Sequence, residues 1–154
     1  MNRKILAILA LLIVAASIST VSALGLEDIL GSSSEAQEVT IEGIDFNIPA
    51  GFVEDEDLAV DGEVNESQGV KYTTWGKTYA KGNDAISIGV ATYDGVEVDD
   101  SIAEYVGSDE LSVNGVDGYE YNVPPFEGFV YAKDGKLVII SVSDAKFLED
   151  IVVK

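Results

Sequence analysis

From Glu38 onward the sequence alternates apolar and polar residues with a period of two, and short residues followed or preceded by glycine interrupt the alternation at intervals. A period of two sends successive side chains to opposite sides of an extended chain, so it dictates strands and works against a helical bundle. The interruptions say how the strands connect. Asn-Gly and Asp-Gly accept the positive φ angles of a two-residue hairpin turn, and both pairs recur here, at Asn114-Gly115 and Asp134-Gly135.

Val39 and Ile41, then Ile44, Phe46 and Ile48, predict a short hairpin about Glu42-Gly43, stopped by Pro49 and Gly51, with Phe52 returning to the core. Val70 to Ala80 and Ala85 to Tyr93 predict two longer strands joined at Lys81-Gly82-Asn83-Asp84, with Ile86, Ile88, Val90 and Thr92 sharing one face. Leu111 and Val113 face Tyr119, Tyr121 and Val123 across the turn signals Asn114-Gly115 and Asp117-Gly118, ahead of Pro124-Pro125. Phe129 to Ala132 and Leu137 to Val142 make the last hairpin. Leu137-Val138-Ile139-Ile140 is apolar on both faces, which places that strand inside the sheet with cover on each side.

Two stretches change period. Asp99 or Asp100 caps a short helix with Ile102, Tyr105 and Val106 as its apolar positions and Gly107 as its left-handed stop. Ser143 or Asp144 caps a last helix striped with Phe147, Leu148, Ile151 and Val152. Glu54 to Gln68 is polar and reads as a long loop, with a small hairpin at Asp61-Gly62 between Val60 and Val64. The expected fold is a single α+β domain over residues 38–154. Its antiparallel sheet has about six strands built from hairpins, flanked by the short middle helix and the C-terminal helix.

Ahead of this domain the chain reads as an export signal over residues 1–23. Arg3 and Lys4 precede twelve unbroken aliphatic residues from Ile5 to Ala16, and Val21-Ser22-Ala23 supplies small residues for cleavage. The competing reading is an uncleaved anchor, since the uncharged run from Ile5 to Leu26 covers 22 residues, long enough to span a bilayer. Ser17, Ser19, Thr20 and Ser22 dilute its second half and favour cleavage. Residues 24–37, with Gly31 and Ser32-Ser33-Ser34, read as a linker. The expected localisation is therefore secreted or at the cell envelope.

The chain has no His and no Cys, which removes imidazole bases, thiolate nucleophiles, disulfides, and His- or thiolate-ligated metal sites. It carries 28 acidic and 9 basic residues. Cleavage after Ala23 takes two of those bases away and leaves a net charge of −21. Such a surface repels nucleic-acid phosphates and anionic lipid, and self-repulsion favours a monomer.

Several motifs invite a function. Gly76-Lys77-Thr78 lacks the first glycine of a phosphate-binding loop, because Lys71 stands there, and it runs strand into strand. Ser143-Asp144-Ala145-Lys146 has the Ser-x-x-Lys spacing of penicillin-binding enzymes without their other motifs, and helix capping accounts for Ser143. Asp61, Glu63 and Asn65 imitate the opening of an EF-hand, but Glu66 stands where glycine is needed and Tyr72 where the last ligand belongs. A looser calcium site in the acidic stretch 54–66, or a carboxylate-based hydrolase, is the alternative to a protein with no cofactor. Asn65-Glu66-Ser67 has the pattern of a glycosylation acceptor. Trp75 and Tyr79 share one side of their strand with Lys71 and Lys77, a combination suited to a carbohydrate or an acidic peptide. The competing reading is that the aromatics cover one side of a sheet.

The Phe46-x-Ile48-Pro49-x-Gly51-Phe52 segment, the Asn114-Gly115-Val116-Asp117-Gly118-Tyr119 turn and the Lys133-Asp134-Gly135-Lys136-Leu137-Val138 hairpin resemble small, acidic, secreted proteins of methane-producing archaea whose function is not known. More distantly, the strand ending in Ile-Pro-x-Gly-aromatic and the helix-flanked antiparallel sheet resemble the PsbP-like fold. That likeness implies a non-catalytic accessory module. The expected function is accordingly an exported, non-enzymatic module that binds an envelope protein or a carbohydrate.

Overall fold

The computed structural model describes residues 35–67 and 69–154. The export signal over 1–23, the alternative anchor over 5–26 and the linker up to residue 34 lie outside the described residues. Among those described, no helix is long and apolar enough to cross a membrane.

Among the described residues ten strands form, in chain order: β1 (Gln37–Ile41), β2 (Ile44–Ile48), β3 (Val53–Glu54), β4 (Val60–Ser67), β5 (Val70–Lys81), β6 (Asp84–Tyr93), β7 (Glu110–Val113), β8 (Val116–Glu120), β9 (Glu127–Lys133) and β10 (Lys136–Val142). Helix α1 (Asp100–Val106) links β6 to β7, and a 3-10 turn (Ala145–Phe147) leads into α2 (Leu148–Ile151). The α+β class holds, with more strands than the six expected. β1 and β2 form their own two-stranded sheet, and the other eight form a sheet in the order β3-β5-β6-β10-β9-β8-β7. β4 pairs with β5 on the same edge as β3, further along the strand.

Turn chemistry sets the registers. Glu42-Gly43, Asn114-Gly115 and Asp134-Gly135 each have two consecutive positive φ angles, which match the right-handed twist of the strands they join. β10 lies between β6 and β9, and every residue from Leu137 to Val142 is buried, as its two-sided apolar run predicts. On one side of the sheet, Ile86, Ile88, Val138, Ile140 and Phe129 meet Phe46 and Ile48 of the β1–β2 hairpin and Leu148 and Ile151 of α2 in the principal core. On the other side, α1 lays Ile102 and Ala103 over Val130 and Ile139. Each large apolar side chain so buried contributes roughly 2 kcal/mol. Asn114 Nδ2 donates to Val152 O at 2.9 Å, and Lys136 Nζ donates to Glu42 O, so both covering elements are tied to the sheet by hydrogen bonds as well as by contact.

Four local expectations are corrected. The stretch 54–68 is not a long loop. It holds β3, a 3-10 turn (Glu56–Leu58) capped by Asp55, and β4, which runs straight through Asp61-Gly62 with a register shift between Val60 and Glu63 instead of a hairpin. The polar composition that suggested a loop is that of an exposed edge strand, where Asp61, Glu63 and Glu66 discourage further pairing. Asp117-Gly118 lies within β8 and makes no turn. Gly107 has φ −85 and so is no left-handed stop. It ends α1 where a Cβ would sit 2.3 Å from the Tyr119 Cβ. Tyr105, assigned to the apolar side of α1, is 50% exposed. β1 opens at Gln37, whose Nε2 donates to Phe52 O at 3.2 Å.

The hydroxyls of Tyr79, Tyr93, Tyr121 and Tyr131 are buried without a hydrogen-bond partner among the described residues. A buried hydroxyl left unpaired forfeits its hydration for nothing. Tyr131→Phe is therefore expected to hold or raise stability, by up to about 1 kcal/mol, where loss of a paired hydroxyl would lower it by a similar amount. The midpoint of urea unfolding reads the sign.

Candidate functional site

The four residues singled out as a ligand face do share one side of β5, and that side turns toward the principal core. Tyr79 is 1% exposed within it, and Trp75 packs against it. Lys77 Nζ is engaged by Glu54 at 2.9 Å, an ion pair about a third exposed and worth under about 1 kcal/mol. Lys71 alone is exposed, with Glu66 opposite it on β4. The four make no common open surface; the competing reading, aromatics covering a sheet, describes Tyr79 and Trp75.

The opposite side of the same strand is open. Where α1 covers the β8–β9 end of the second face, the β5–β6–β10 end carries a groove of about 330 Å³. Its floor follows from register. Thr74 pairs with Ala91, Gly76 with Gly89 and Thr78 with Ser87, and those β6 residues pair in turn with Leu137, Ile139 and Ser141 of β10. Directly paired residues of antiparallel strands face the same way, so three rows cross three strands. One row is Thr74, Ala91 and Leu137. The central row is Gly76, Gly89 and Ile139. The third is all hydroxyl: Thr78, Ser87 and Ser141. The 3-10 turn and the start of β4 wall the groove with Asp57, Leu58, Val60 and Glu63.

Two features of this floor call for a cause other than folding. Gly89 lies mid-strand in the sheet interior, where glycine costs roughly 0.5–1 kcal/mol relative to alanine. A Cβ there would meet only Ile139 O, at 3.9 Å, so packing does not require its absence. Its φ is not positive either. In the hydroxyl row, Thr78 Oγ1 donates to Ser87 Oγ at 3.3 Å, while Ser141, 7% exposed, has no side-chain hydrogen bond among the described residues. The row therefore retains hydrogen-bonding capacity facing the groove.

Chemically the groove is suited to holding a molecule. Lys77 is the one basic residue in its lining, and its side chain leaves from the other side of β5 to pair with Glu54; the remaining ionisable residues of the lining are Asp57 and Glu63. Asn65 lies at the groove wall on β4, opposite Tyr72, and its Nδ2 donates to Glu63 Oε1 at 3.2 Å. The glycosylation pattern thus falls on a strand and not on a loop. For the acidic stretch 54–66, Glu54 is held by Lys77 and Asp55 caps the 3-10 turn, and no group of three or more acidic side chains placed to hold a metal occurs among the described residues.

Sequence reasoning missed the groove because it looked for reactive and aromatic side chains. The signal was present in the small ones. Thr74, Gly76 and Thr78 alternate with Trp75, Lys77 and Tyr79, and Ser87, Gly89 and Ala91 alternate with Ile86, Ile88 and Val90. Two neighbouring strands that each carry small residues on one side and large ones on the other leave the first side low. Comparison with protein-family models, with curated proteins and with solved structures finds no match to this chain.

Proposed function

We propose that the protein is an exported, non-enzymatic binding module that takes its ligand in the groove over β5, β6 and β10. The observation that carries this reading is Gly89, a mid-strand glycine that neither packing nor backbone conformation demands and that keeps the floor open. The leader-like residues 1–23 support export, and the lack of His and Cys supports binding over catalysis. The likeness to acidic secreted proteins points the same way. The ligand belongs to the envelope or the surrounding medium.

Gly89→Val tests the reading. The added side chain projects into the groove, and a β-branched residue suits a strand, so the melting temperature is expected to stay level or rise by a few degrees. Protein recovered from its native source is expected to carry a small molecule in native mass spectrometry, and the Val variant to carry none. The same spectrum reads whether the chain begins at Leu24. A ligand retained by the variant would remove the groove from the account.

A further inference from the structure

The geometry points to the class of ligand: a planar ring with one polar edge and a neutral or cationic charge, lying flat on the Gly76–Gly89 pair with its polar edge toward Thr78, Ser87 and Ser141. This rests on the groove being the binding site. Planarity follows from the floor. Same-face residues two apart are roughly 6.6 Å apart along a strand, so the Thr74–Ala91 and Thr78–Ser87 rows stand about 13 Å apart, Cα to Cα, with the side-chain-free glycine row between them. Allowing for the flanking side chains, the slot is one ring wide, and its floor is bare peptide planes on which a ring can lie. Along the row, Val60, which pairs with Gly76, bounds the slot at one end, and Ile139 bounds it at the other.

Polarity is one-sided. The hydroxyl row can donate and accept, and Ser141 has no partner among the described residues, while the facing row offers Ala91, Leu137 and Thr74, whose hydroxyl already donates to Glu63 O at 3.4 Å, so that row is mainly apolar. A sugar needs hydrogen bonds around its whole rim and would leave hydroxyls unpaired on that apolar side, at roughly 1–3 kcal/mol each. Charge follows from the wall. Asp57 and Glu63 line the groove, and the charge of Lys77 is offset by Glu54 at 2.9 Å, so the local potential is negative, as is the whole molecule. An anion is repelled by both.

Tryptamine and indole-3-acetate share a ring and differ in the sign of their charge, and 3-methylindole is the neutral reference. Titrated at low salt into the full domain and followed by amide shifts in NMR, tryptamine is expected to move Gly76, Gly89 and Ser141. It should bind at least about tenfold more tightly than indole-3-acetate, with 3-methylindole between them. The Asp57→Asn, Glu63→Gln double variant should shrink that ratio several-fold while keeping the melting temperature, and Gly89→Val should abolish the shifts. Equal or tighter binding of indole-3-acetate at these amides would overturn the charge inference and leave the groove standing as a binding site. Methyl glucoside shifting the same amides more strongly than any indole would overturn planarity. Shifts from no probe would overturn the ligand class, and only the native-source experiment above would then decide whether the groove binds anything.

Discussion

Gly128→Ala is expected to cost at least about 3 kcal/mol, a large share of the 5–15 kcal/mol that holds a domain of this size together. Gly128 lies in β9, where a Cβ would stand 2.3 Å from Tyr121 O and 2.6 Å from Ile140 O. Both obstacles are main-chain oxygens. Ile140 O belongs to the central strand, and Tyr121 is held by its own N–H donating to Gly128 O at 2.9 Å. Neither can rotate aside as a side chain would, so β9 must separate from a neighbour or the segment after β8 must lift. Loss of soluble protein, or a fall in urea midpoint of more than 1 M at a typical denaturant sensitivity, is the expected readout. Gly89→Ala is the matched control two strands away, with a Cβ that meets only Ile139 O at an ordinary 3.9 Å and no expected loss. Equal stability of the two variants would show that the chain after β8 does not cross β9 as described.

Raising the pH above 10 is expected to unfold the protein steeply. Burial pushes the phenols of Tyr79, Tyr93 and Tyr131 well above their ordinary value of 10.0, with the Glu54 charge adding to the effect at Tyr79 and Tyr72 at Tyr93. The sign follows from proton counting. Above pH 10 the unfolded chain releases these protons and the folded one keeps them, so the folded state binds more protons and stability falls as pH rises. Below pH 10 both states hold them and the contribution is flat. Each such group costs about 1.4 kcal/mol per pH unit, so three together remove roughly 4 kcal/mol per unit, enough to exhaust a typical stability within two or three units. Phenolate absorbance should therefore appear in one cooperative step coincident with loss of circular dichroism. Replacing all three by Phe should flatten the alkaline limb. A gradual tyrosine titration with the fold intact would mean that these hydroxyls are wet.

What the sequence made legible was whatever depends on neighbours in the chain. Asp134-Gly135 and Asn114-Gly115 carry their turn geometry in two residues, and Leu137 to Ile140 announce a strand covered on both sides. What it hid depends on partners distant in sequence. Asp117-Gly118 has the composition of a turn, but it pairs with Ser112 and Leu111 within a strand, and its glycine answers to a distant contact, since a Cβ at 118 would sit 2.5 Å from Val130 O. The acidic stretch 54–68 looked like a loop because propensity undervalues strands whose charges face solvent at an edge. At the candidate site, alternation told correctly which residues of β5 share a side, and it could not tell which side would be covered. The β1–β2 hairpin and α2 decide that from more than twenty residues away.

β4 leaves one flank without a strand partner among the described residues, and along it run Asp61, Glu63 and Glu66. An open flank of this kind is where two copies of a sheet would zip together into a filament. Here a second copy would have to bring its own row of negative charges against the first. The fold thus keeps an exposed rim next to its groove while making self-recognition at that rim costly, and a neutral or basic visitor meets no such barrier.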